Sequence, residues 1–207
     1  MDVIEAIRTR RSIRKYTQAP IPWEHVELML DAAQRAPNAG NREDWRFLVI
    51  QSAGMKEQIH QAIIDRLEEI AAWPEAKGKE DQVRAMRRGS SFICKAPVLF
   101  VFFGKPYMTM GDELFLAHGM PYEEWARRRG MMGVQSCAAA IENVCLVAHA
   151  LGYGACWVGP GAAGFEMKRL LGMEDPWDLV AYLPVGVPDE SPPLRPRRPL
   201  KEVYRVI

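Results

Sequence analysis

Apolar positions along the chain follow two distinct spacings, and the changes between them mark the elements. Val3, Ile4 and Ile7 fall at helical spacing and predict a short amphipathic helix ending at the basic run of residues 8–15. Pro20 and Pro22 make an extended connection, and residues 23–36 predict a second helix with Val26, Met29, Leu30 and Ala33 on one face, closed by Pro37. The run APNAGNRED is a loop by composition, and WRFLVI (45–50) predicts the first strand. A three-to-four spacing of Met55, Ile59, Ile63, Leu67 and Ile70 predicts a helix over 55–70. Residues 73–89 are rich in charge and predict a solvated connection or an exposed helix. APVLFVFF (96–103) is continuously apolar, as in a central strand.

The second half is less regular. Residues 104–133 hold five of the 11 methionines, at 108, 110, 120, 131 and 132, among aromatic residues and the basic run 127–129. Methionine adapts to irregular apolar partners, so this stretch is a candidate ligand lid, with core filling as the other reading. Small and apolar residues occupy nearly the whole circumference of a helix over 134–151, which predicts burial on all sides and hence a subunit interface. GYGACWVGPG (152–161) reads as a helix stop, a short strand and a tight turn, followed by a small helix over 165–171. DLVAYLPVGVP (178–188) is the last clear strand, and the Pro-rich basic tail is extended. Helices and strands do not alternate regularly, which favours an α+β sheet packed by helices.

Length and composition narrow the function classes. The 207 residues suit one domain, 1–207, with a full core. Twenty-seven Lys and Arg against 26 Asp and Glu leave no global field for a general polyanion binder, so nucleic acid is disfavoured. The N-terminal residues lack a secretory apolar core, and the least polar stretch carries Glu142, Asn143 and His149, so no membrane span is expected. Cys94, Cys137, Cys145 and Cys156 form no CxxC pair, which predicts reduced thiols and a cytoplasmic location. The dinucleotide, P-loop, zinc-protease and hydrolase motifs are absent, and the four histidines are widely separated.

Four segments carry candidate chemistry. Arg10, Arg11, Ser12 and Arg14 lie within five residues; guanidinium forks match phosphate oxygens and a hydroxyl completes the set. A solvated helix end explains the same residues equally well. Pro37, Asn38 and Asn41 beside Gly40 offer amides to a heteroaromatic edge, or an ordinary turn. Trp157, Val158 and Gly159 present backbone groups where a planar ligand can approach closely, or a strand end. Arg197 and Arg198, with Arg195, form a second basic cluster, or a solvated tail.

The order of RRSIRKY, APNAGNREDW, GYGACWVGP, LPVGVP and RRPL resembles the FMN-dependent nitroreductase family over nearly the whole chain. The resemblance implies an α+β fold with a mixed sheet sandwiched by helices, in an interlocked homodimer with FMN at the interface. It implies that Arg10, Arg11, Ser12 and Arg14 hold the phosphate and pyrimidine edge. Pro37, Asn38 and Asn41 then reach the flavin from the partner subunit. Trp157, Val158 and Gly159 lie beside the ring, and Arg197, helped by Arg198, contacts the phosphate. The implied activity is ping-pong hydride transfer from NADH or NADPH through FMN to a nitroaromatic, quinone or similar planar acceptor. A reductive dehalogenase, a flavin-fragmenting enzyme and a non-enzymatic flavin carrier are the alternatives. The family pattern has serine at 38 and Asn-x-Gln-Pro-Trp across 41–45; Asn38, Glu43 and Asp44 depart from it.

Overall fold

The computed structural model describes residues 1–207. A four-stranded sheet forms its middle layer, in the order β1 (Trp45–Ile50), β2 (Val98–Gly104), β4 (Asp178–Gly186) and β3 (Gly154–Ala155). Strand β2 shows why the layer is central. Every one of its residues is buried, and successive side chains point to opposite faces. Val98, Phe100 and Phe102 pack beneath α2 (Trp23–Gln34) and α7 (Met132–Ala150). Leu99, Val101 and Phe103 pack against α3 (Ala53–Ala71) and α8 (Gly164–Leu170). Each such large side chain contributes about 1.5–3 kcal/mol of burial, so β2 pins both helical layers to one sheet.

The helices end where local chemistry dictates. Asp2 accepts the Glu5 N–H at 2.8 Å and caps α1 (Val3–Thr9); Ser52 accepts the Met55 N–H at 3.3 Å and caps α3. Asn143 of α7 donates to the Ala32 carbonyl of α2 at 2.8 Å, locking the register of that helix pair.

Several expectations need adjusting. All strand pairs are antiparallel, and the parallel component of the expected mixed sheet is confined to a single bridge between Ser12 and Ala155. The charged stretch 73–89, by contrast, agrees with expectation: it contains the exposed helix α4 (Glu80–Ser90). Residues 104–133 hold α5 (Met110–Ala117) and α6 (Tyr122–Arg128). Within one chain α7 is not buried all round, because the sheet and α2 cover only part of its circumference and Val134 stays exposed. The apolar face of α1 is turned outward: Ala6 alone is buried, while Val3, Ile4 and Ile7 are exposed. The tail makes one 3-10 turn at Leu200–Glu202 and is otherwise extended.

The bridge at Ser12 depends on Gly154. A Cβ at that position would stand 2.6 Å from Ile13 Cβ, so only glycine lets the basic segment lie against β3. Gly154→Ala is expected to destabilise the protein by about 1–3 kcal/mol, as overpacking does. A reduced denaturation midpoint with an unchanged m-value checks it.

Candidate functional site

The basic segment is built from backbone pairing. The Ile13 N–H donates to the Ala155 carbonyl at 3.0 Å, and its side chain is buried. Tyr16, also buried, donates to the Ile13 carbonyl and lies 3.2 Å from the Pro184 carbonyl; burial pushes its hydroxyl pKa far up. On the other side Glu190 Oε1 accepts the Arg14 and Lys15 N–H groups at 2.5 and 3.2 Å. Residues 10–14 are thus held rigidly beside Ala155 and Cys156, so the structure brings the first and third sequence-predicted segments together.

Buried Nε atoms of both Arg10 and Arg11 lack a hydrogen-bond partner. Arg10 Nε lies 3.4 Å from Glu142 Oε1 without hydrogen-bond geometry, and a terminal Arg11 nitrogen donates to the Pro193 carbonyl. Buried donors left unmet are costly, and two of them beside the Ser12 hydroxyl suit a multidentate anion. Arg14 instead stacks its guanidinium over Phe92, 5.7 Å from the ring centroid.

Trp157 is 41% exposed, and Val158 pairs with Tyr182 through two backbone hydrogen bonds of 3.0 and 2.8 Å. Nothing lies within 4 Å of where a Gly159 Cβ would stand, so open space faces this strand end. Arg197 and Arg198 are exposed on the tail and make no ion pair; the tail reaches the basic segment only as far as Pro193.

The loop of Pro37, Asn38 and Asn41 lies elsewhere. Asn38 Oδ1 accepts the Glu43 N–H at 2.9 Å, and the Ala39 N–H donates to Ser136 Oγ at 3.1 Å, at the start of α7. Thr9 meets His149 at 2.8 Å, near the other end of the helix. Arg10 reaches Glu142 in the middle of the helix, six residues or roughly 9 Å from Ser136, but no hydrogen bond or ion pair joins this loop to the basic segment within one chain.

Sequence reasoning missed a second cluster. Asp44, 7% exposed, lies 3.0 Å from Arg42 Nε and 2.9 Å from Lys105 Nζ. Asp112, 0% exposed, accepts the Thr109 N–H at 2.6 Å and its hydroxyl at 3.0 Å, and pairs with Arg129 at 2.5 Å. Arg42 and Arg129 both stack on Tyr107, at 5.3 and 5.9 Å from its centroid. Between α6, the start of α7 and β4 lies a cavity of about 430 Å³, bordered by Tyr107, Tyr122, Trp125, Arg129 and β4 residues Leu179 and Val180. The Thr109-to-Asp112 spacing of a capping box was the one signal in the sequence.

Burial raises the Asp112 pKa, but the Thr109 N–H and hydroxyl and the Arg129 charge outweigh it and hold the carboxyl below its ordinary value. A depressed carboxylate stabilises the fold above its unfolded pKa of about 4, and that contribution is lost as pH falls through the folded value. The α5–α6 segment is therefore expected to loosen below about pH 4; faster proteolysis between 105 and 131 than in the sheet checks it.

Burial pushes the thiols of Cys94, Cys137 and Cys145 up to about 12 and raises Cys156, so none supplies a thiolate nucleophile at neutral pH. No cluster of three His, Cys, Asp or Glu side chains has metal-ligating geometry, and no single helix is long and apolar enough to cross a membrane.

The decisive comparison is with the Nitroreductase family profile, which matches residues 7–187. The chain belongs to the nitroreductase family. Among its relatives is a Methanothermobacter thermautotrophicus protein named, provisionally, as an NADH dehydrogenase/NAD(P)H nitroreductase. It is 30% identical over 94% of this chain and 82% of its own. An iodotyrosine deiodinase of Nematostella vectensis is 26% identical over 96% of this chain and 72% of its own. The crystal structure of a BluB-like flavoprotein from Clostridium difficile 630 superposes with a TM-score of 0.87 at 30% identity, covering 100% of this chain and 99% of that one. The nitroreductase-family chain thus shares its whole fold with a flavoprotein and aligns with oxidoreductases along nearly its full length.

Proposed function

We propose that this nitroreductase-family protein is a homodimeric FMN oxidoreductase that uses NADH or NADPH to reduce a nitroaromatic, a quinone or a similar conjugated planar acceptor. The observation that carries the reading is the pair of buried Nε atoms of Arg10 and Arg11, neither with a hydrogen-bond partner, directly preceding Ser12 in the chain. They fit a phosphate monoester, which FMN supplies at the end of its ribityl chain.

FMN held here would supply the redox chemistry between a nicotinamide and the acceptor. Arg10, Arg11 and Ser12 hold the phosphate, with Arg197 and Arg198 brought in from the tail. Arg14 places its positive charge at the pyrimidine edge and favours the electron-rich form. The open strand end at Trp157, Val158 and Gly159 lets a planar ring lie against the backbone. No side chain needs to act as a nucleophile.

A second subunit completes the site. Pro37, Asn38 and Asn41 make no hydrogen bond or ion pair with the basic segment of their own chain, and the family resemblance assigns them to the partner's flavin. Exposed apolar side chains at Val3, Ile4, Ile7, Leu200, Val203 and Val206 give the partner a surface to cover. Light scattering is expected to give twice the 23.5 kDa chain mass with one FMN per chain. A monomer that takes up no FMN on reconstitution would overturn the reading.

A further inference from the structure

The cavity between α6, the start of α7 and β4 has a specific character. At about 430 Å³ it is well above the roughly 150 Å³ that accommodates benzene in a protein interior, so it admits one or two fused rings. Its wall is aromatic and held in place. Trp125 stacks on Phe115 with centroids 4.1 Å apart and planes 15° apart. Two guanidinium groups lie against the Tyr107 ring, Arg129 paired with Asp112 and Arg42 paired with Asp44, which Lys105 shares. A Cβ on Gly40 would lie 2.9 Å from the Tyr107 hydroxyl oxygen, so the same ring touches the loop of Asn38 and Asn41.

Charge decides what the cavity accepts. Lys105 and Arg129 line it; Asp112 neutralises Arg129, whereas Asp44 is shared between Lys105 and Arg42, so with Glu123 and Asp178 four carboxylates face three cations around the cavity. Glu123 and Asp178 line it as well. Glu123 has no ion-pair partner, and Asp178 has only Lys168, 3.6 Å away. Burial and the neighbouring Asp178, Asp112 and Glu123 all push the Tyr122 hydroxyl pKa up, as an excess of negative charge requires.

We propose that this cavity is the acceptor pocket, that it selects uncharged planar aromatics of one or two rings over their carboxylated counterparts, and that Tyr107 orients them. The proposal rests on the oxidoreductase reading above only for the use of the pocket, not for its selectivity. A carboxylate roughly 10 Å from a bound anion costs it about 1.5 kcal/mol at an effective dielectric of about 20, roughly tenfold in binding.

The test is tryptophan-fluorescence quenching of the FMN-loaded protein, without nicotinamide, by nitrobenzene and by 4-nitrobenzoate. Nitrobenzene is expected to bind about tenfold more tightly. Glu123→Gln should narrow that ratio, and Trp125→Phe should remove most of the saturable quenching. Tyr107→Phe should raise KM for the acceptor more than it lowers kcat. Equal binding of the two nitroarenes, or saturable quenching that survives Trp125→Phe, would overturn the pocket. Because quenching needs no electron transfer, a failure of NADH or NADPH to reduce the flavin counts against the oxidoreductase reading alone.

Discussion

Asp112→Ala is expected to loosen the α5–α6 segment by about 3 kcal/mol while leaving the sheet intact. Asp112 is fully buried and closes the first turn of α5 through Thr109, and it is the ion-pair partner of Arg129. Removing one member of a buried pair strands the other, which costs about 3–5 kcal/mol. The lower figure applies because the Arg129 side chain is 31% exposed and regains some water. Amide exchange in α5 and α6 should accelerate roughly a hundredfold, since each 1.4 kcal/mol is tenfold. Amides of β2 should keep their protection. Equal acceleration in β2 would mean that Asp112 supports the whole fold rather than this segment.

The second large effect concerns the cofactor. Arg11→Ala is expected to weaken FMN binding by about 10- to 100-fold, the worth of a charge-assisted hydrogen bond of about 1.5–3 kcal/mol. Stability without FMN should change little, because the Arg11 side chain makes a single hydrogen bond within the chain, to the Pro193 carbonyl. Equilibrium dialysis of FMN separates the two quantities. Unchanged affinity would remove Arg11 from the phosphate site.

Much of this was legible in the chain. The helices α2 and α3 follow their apolar spacing to within a few residues, and β2 announced itself as an unbroken apolar run because both its faces are covered. The basic segment was readable as a phosphate clamp, yet its rigidity was not, since that comes from pairing with residues 155 and 190, far away in sequence. Asp44 stood out only as a departure from the family pattern. Its role depends on Lys105, which no local period connects to it. The same holds for Asp112 and Arg129, placed on different helices. The outward turn of the apolar face of α1 was not legible, because spacing shows that a face is apolar, not whether its cover comes from the same chain.

The central claim is that electrons pass from a nicotinamide through bound flavin to an acceptor. The most direct measurement is the visible spectrum of the purified protein without oxygen, before and after NADH or NADPH and then after a nitroaromatic or quinone. A yellow protein that bleaches with the nicotinamide and regains its colour with the acceptor is the predicted result. Flavin that stays oxidised with both nicotinamides would contradict the account.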